Sequence, residues 1–140
     1  MSRLYRGLAD AHRYFGNLHG NRQDHQLAIE NYTRALVRDP AYTQAYYSRG
    51  VLYWREVGDP QHAIQDLTRV LDLDSSWAEA YFNRAIAHKM RHERQQAIAD
   101  FHSYLANGAD EFWLGSAQRQ LAELQQEMDE QGRADGQAPR

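Results

Sequence analysis

The sequence has no cysteine, only 3 prolines in 140 residues, and a single lysine, Lys89, among its 16 basic side chains. Without cysteine there is no disulfide framework, no thiolate nucleophile and no zinc–cysteine site. There is no excess of positive charge: 16 Lys and Arg stand against 19 Asp and Glu, for a net charge of -3. That balance excludes the dense basic face that nucleic acid needs. No apolar run reaches the roughly 18 residues of a membrane span. The opening residues MSRLYRGLADAHRYF lack the apolar core of a secretory leader, so a reducing, cytoplasmic setting is expected. No segment alternates apolar and polar residues for long enough to predict a strand. The phosphate-loop, H-E-x-x-H and G-x-S-x-G patterns are missing as well. Neither enzyme activity nor a cofactor is expected. The length fits one domain able to bury a real core.

What is present is a repeat. Tyr46 and Tyr81 are 35 residues apart, as are Arg49 and Arg84, and Gly50 and Ala85. A period of this size decides a fold. Three units align: AHRYFGNLHGNRQDHQLAIENYTRALVRDP, AYYSRGVLYWREVGDPQHAIQDLTRVLDLDS and AYFNRAIAHKMRHERQQAIADFHSYLANGA. Each holds two stretches of helical periodicity joined by a polar link. Asp59-Pro60 reads as an N-cap followed by proline in the first turn. Asp24 is a candidate cap in the first unit, and Ser76 with Glu79 forms a candidate capping box. Small residues recur in two columns, Gly16, Gly50 and Ala85, then Ala28, Ala63 and Ala97. A glycine inside a helix costs about 1 kcal/mol relative to alanine. That cost is offset if small residues let two helices approach to roughly 8 Å. Bulky columns follow: Tyr32, Leu67 and Phe101, then Leu36, Leu71 and Leu105.

These columns resemble the tetratricopeptide repeat, a helix–turn–helix of roughly 34 residues. The resemblance covers about residues 9–109, in repeats of about 9–40, 41–75 and 76–109. It implies an all-α solenoid. The second unit carries one extra residue in its inner turn, REVGDPQHA. Asp110 is a candidate cap for a further helix to about residue 130, with Trp113, Ala117, Leu121, Leu124 and Met128 on one stripe. A solenoid needs such a closing helix. One domain over 1–130 is therefore expected, followed by a disordered tail over 131–140.

Arg49 and Arg84 stand where the family often has leucine. Each has a candidate partner in the second helix of its own unit, Asp66 and Asp100. The first unit has Phe15 and Asn31 there, lacking both charges. Two struts follow as expectations, Arg49–Asp66 and Arg84–Asp100.

The resemblance also implies a non-catalytic module that binds a protein or peptide in a concave groove lined by the first helix of each unit. Its residues here would be Arg13 and Asn17, then Tyr47, Ser48 and Val51, then Phe82, Asn83 and Ile86, with Trp54 and Lys89 one turn further along. Asn17, Ser48 and Asn83 would form a polar ladder for an extended backbone. Relatives that hold the C-terminal carboxylate of heat-shock chaperones use five clamp positions. Arg13 and Asn17 match that clamp, but Ser48, Glu79 and Asn83 do not, and Glu79 would repel a carboxylate. Chaperone-tail capture is therefore not expected. Some groove residues could instead pack against the closing helix or the N-terminal segment. An alternative is a self-assembling scaffold or assembly chaperone acting through Tyr5, Phe112 and Trp113, with a homo-oligomer as its product. His88 and His92, four apart, have a metal-ligand spacing. A packing role is the plainer reading, and no metal site is expected.

Overall fold

The computed structural model describes residues 3, 4, 6, 7, 10, 22–108 and 110–136. Within them lie helices α1 (Arg22–Arg38), α2 (Thr43–Leu52), α3 (Pro60–Leu73), α4 (Ala78–Met90), α5 (Arg94–Asn107) and α6 (Glu111–Gly136). No strand occurs among the described residues. Each helix packs on the next, and α2 with α3 and α4 with α5 form two antiparallel hairpins. Phe15, Gly16 and the rest of residues 11–21 lie outside the described residues.

The apolar columns become the core. Ala28, Ala63 and Ala97 are fully buried, as are Tyr32, Leu67 and Phe101. One cluster joins α1 to α2, a second joins α2, α3 and α4, and a third joins α4, α5 and α6. Tyr46 touches the first two clusters and Tyr81 the last two, so the core runs on from unit to unit. Gly50 marks a close approach within a hairpin. A Cβ there would lie 3.0 Å from Leu67 Cγ and 3.2 Å from Asp66 Cβ. The third unit seats Ala85, fully buried, in the same column.

The helix ends show which local signals won. Asp59 caps α3 by accepting the amide of His62, with Pro60 in the first turn. Asp110 accepts the amide of Phe112 at the start of α6. The Ser76–Glu79 capping box does not form. Asp74 takes both the amide and the hydroxyl of Ser76, at 3.0 and 2.6 Å, and α4 begins after Trp77 with no side-chain cap. Asp24 lies inside the first turn of α1 rather than ahead of it. The extra residue of the second unit is absorbed by a π-helical turn, Tyr53–Val57, closed by Gly58 at φ 73°. A π turn is the usual way to seat one inserted residue without breaking a helix. In the third unit His92 takes the left-handed place at the turn, with φ 60°.

The tail expected to be irregular from residue 131 instead continues α6 to Gly136. Hydrogen bonds four residues apart, Gln126 to Glu130 and Gln131 to Asp135, both 2.9 Å, carry the helix onward. Such pairs each support a solvated helix by a few tenths of a kcal/mol.

Candidate functional site

The first helices of the second and third units place side chains along one face, and α6 closes one end of it. Between them lies a cleft of about 260 Å³ lined by Tyr47, Val51, Arg55, Glu79, Phe82, Asn83, Tyr104 and Trp113. Tyr47 and Val51 come from α2, and Phe82 and Asn83 from α4. Phe82 lies at the centre, only 6% exposed. Its ring meets Tyr104 at 5.4 Å and Trp113 at 4.9 Å, both edge to face. Edge-to-face pairs at such distances are favourable. Tyr47 stacks at a tilt on Trp77, 5.3 Å away.

Asn83 knits the cleft together. Its amide nitrogen donates to the Tyr47 hydroxyl at 3.1 Å and to the Glu79 carbonyl at 2.8 Å. Its amide oxygen accepts from the Trp54 indole at 3.1 Å. Both donors are therefore engaged within the chain. Ser48 does not reach the cleft: it is 3% exposed and its hydroxyl accepts from Gln44 at 3.2 Å. The polar ladder expected from Asn17, Ser48 and Asn83 is therefore not available as a whole. The reason is burial, since Ser48 is covered and its hydroxyl is taken by Gln44 on its own helix. Ile86 packs against the core of α4, α5 and α6. Lys89 is held by α6, donating to Gln120 and lying 3.7 Å from Glu123. Arg13, Asn17 and Tyr5 lie outside the described residues.

Four lining residues were not among the expected set: Arg55, Glu79, Tyr104 and Trp113. Arg55 comes from the π turn that follows α2. Trp113 enters through the docking of α6, and Tyr104 comes from α5, packed on Phe82 of the same hairpin. The charges differ in their surroundings. Arg55 has a carboxylate beside it, Glu56, at 3.7 Å. The Glu79 carboxylate makes no hydrogen bond or ion pair to any described residue. Burial, then the negative charges of Glu79 and Asp110, push the Tyr104 phenol above its ordinary value.

Behind this face stand the two arginines. Arg49 donates to both oxygens of Asp66 at 2.8 and 2.7 Å, and Arg84 to both oxygens of Asp100 at 2.7 Å. Each guanidinium also reaches the preceding unit, Arg49 to Thr33 at 3.0 Å and Arg84 to Thr68 at 3.2 Å. One side chain thus ties three helices. The Asp100 hydrogen bonds raise the Arg84 pKa, against burial, which lowers it. For Arg49 burial is the larger single effect, yet the Asp66 hydrogen bonds and charge together raise its pKa too.

His88 and His92 do not share a helix face. α4 ends at Met90, and the turn brings Glu93 back to within 3.3 Å of His88 Nδ1. His88 Nε2 lies 3.8 Å from Asp100. Among the described residues no group of three His, Asp or Glu is placed to hold a metal ion. Nor is any helix there long and apolar enough to cross a membrane.

Successive helix hairpins on a shared core, tied by side chains that span unit boundaries, define a helical-repeat solenoid. Residues 43–76 match the tetratricopeptide-repeat family model. That stretch is a tetratricopeptide repeat, set within an all-α helical-repeat fold. A crystal structure of MamA superposes with a TM-score of 0.79 and 27% identity over 91% of this chain. The chain spans 63% of that protein's length, under two thirds. The Arabidopsis OM64 TPR domain superposes at 0.75, with 24% identity, over 87% of this chain and 94% of its own. The first TPR of Spaghetti (RPAP3), solved bound to the HSP90 peptide SRMEEVD, superposes at 0.72 with 22% identity, over 89% and 95%. No curated protein matches the sequence significantly.

Proposed function

We propose that this protein is a non-catalytic interaction module that holds a segment of a protein partner in the cleft between α2, α4 and α6. The observation that carries this reading is the cleft itself, an aromatic-walled recess on the first-helix face with Tyr47, Val51 and Trp113 at its mouth. A concave apolar site with a few placed polar groups is the usual form of a binding site. Similar repeats solved with peptides, such as the RPAP3 domain, lend the fold a precedent.

The test is affinity capture from native lysate with the wild type and with Val51→Arg, once circular dichroism shows both equally helical. Val51 sits on the wall of the cleft, and a long cation there fills it. A partner captured by the wild type and lost with Val51→Arg supports the reading. A partner retained equally by both overturns it. A second reading, self-assembly, is favoured by Phe112 and Trp113, which are 71% and 43% exposed side by side on α6. Sedimentation equilibrium over a wide concentration range, with Phe112→Ser beside the wild type, tests it. A single monomer mass throughout sinks it.

A further inference from the structure

We infer that the cleft selects a basic side chain, an arginine or lysine of the partner segment, seated among Tyr47, Phe82, Tyr104 and Trp113 with its charge against Glu79. This rests on the groove-binding reading above and gives it a ligand chemistry.

Three observations lead there. The first is the wall. Four of the eight lining residues are aromatic. A cation within about 6 Å of an aromatic face is attracted by the ring's quadrupole, and more so where water is excluded. The second is the charge. Glu79 has no partner among the described residues, whereas Arg55 across the cleft already has Glu56 at 3.7 Å. Glu79 is therefore the lining charge with no counter-ion among the described residues. Asp110, whose charge reaches Tyr104 together with that of Glu79, adds to it. The third is size. About 260 Å³ lies below the roughly 300–1,000 Å³ of sites that enclose small-molecule ligands. It suits one long side chain entering from an extended or helical segment. Exposed Phe112, beside Trp113 at 5.6 Å, offers an apolar contact for the residue next to the cation. An acidic tail would meet Glu79 at the same place and be repelled.

The experiment pans a phage-displayed library of random heptapeptides, with free N-termini and C-terminal fusion, against the full chain. The panning is repeated on Glu79→Gln, Glu79→Lys and Val51→Arg. Glu79 is exposed, so these changes leave the core alone; thermal melts check that they fold. The expected result is enrichment of peptides with one Arg or Lys beside an apolar residue. Synthetic copies of the best peptide, measured by fluorescence anisotropy, should bind Glu79→Gln about tenfold more weakly, or ~1.4 kcal/mol. Binding to Glu79→Lys should be lost. Enrichment of purely apolar or acidic peptides, blocked by Val51→Arg, overturns this inference and leaves the groove reading standing. Enrichment of basic peptides that Glu79→Gln binds equally well overturns it too. Absence of any enrichment that Val51→Arg blocks overturns both.

Discussion

At the scale of single residues, the arginine struts set the strongest constraint. Arg84 keeps a fifth of its side chain in water while Asp100 is nearly covered. Removing one partner leaves the other charge uncompensated, which costs about 3–5 kcal/mol for a buried pair. Asp100→Ala is expected near the low end, about 3 kcal/mol, because Arg84 can turn partly to solvent. The double change Arg84→Met with Asp100→Leu should recover most of that loss, since a well-packed apolar pair often replaces a buried ion pair at no net cost. Urea denaturation of the single and double variants measures it. A double variant as unstable as Asp100→Ala alone would mean that the Thr68 bond, not the ion pair, holds the units together. Asp59 gives a different kind of test. Burial alone would raise its carboxyl, but the His62 amide and imidazole bonds outweigh that and hold its pKa below the ordinary value. A carboxyl depressed in the folded state contributes stability above its unfolded pKa of about 3.9, and loses it as pH falls through the folded value. Asp59→Asn keeps the capping geometry but carries no charge. It should flatten the fall in melting temperature below about pH 4, relative to wild type. An unchanged acid limb would assign that fall to other carboxylates.

At the scale of helices and turns, the two complete units solve the same corner in different ways. The second uses Gly58, the third His92, both at positive φ. A non-glycine residue pays about 1–2 kcal/mol for that conformation, and glycine gives back about 0.5–1 kcal/mol in chain entropy. His92→Gly is therefore expected to raise stability by about 0.5–1 kcal/mol, read as an upward shift in melting temperature. A fall instead would show that the His92 side chain makes contacts worth more than the strain. This scale also shows what local sequence can encode. The Asp59-Pro60 start of α3 and the Asp110 start of α6 were legible, because a cap needs only its own next few residues. The Ser76–Glu79 box was not, because Asp74 draws Ser76 into a turn of its own and α4 starts with Trp77, not Ser76, at its N-cap. The extra residue of the second unit was visible as an insertion. Whether it would loop out or widen the helix into a π turn is not written locally; in the fold the turn packs on α3, with Tyr53 stacked on His62 at 5.0 Å. The continuation of α6 to Gly136 was hidden for another reason: its support is side-chain pairs on a fully solvated helix, which leave no apolar pattern to read.

At the scale of the whole molecule, the repeat period was plain in the sequence and the site only half so. Tyr47, Val51, Phe82 and Asn83 were reached through the resemblance, which puts the groove on the first helix of each unit. Trp113 follows from where α6 comes to rest, and that is fixed by long-range packing of Ala117, Leu121 and Leu124 onto the last hairpin. α6 is thus both a wall of the cleft and the lid of the core. Its two halves should behave differently. A chain ending after residue 130 loses only exposed helix and should unfold within about 0.5 kcal/mol of the full chain. Leu124→Ala, which opens a cavity at a buried site, should cost about 2–5 kcal/mol. A chain ending after residue 109 bares Phe82, Tyr104 and the rest of that cluster, and a solenoid without its closing helix has no polar face there. It should lose its cooperative urea transition and bind a hydrophobic dye. If that short chain still unfolded cooperatively at the same urea concentration, α6 would be an appendage rather than part of the core. The aromatic cleft it completes would then be a transient feature instead of a preformed site.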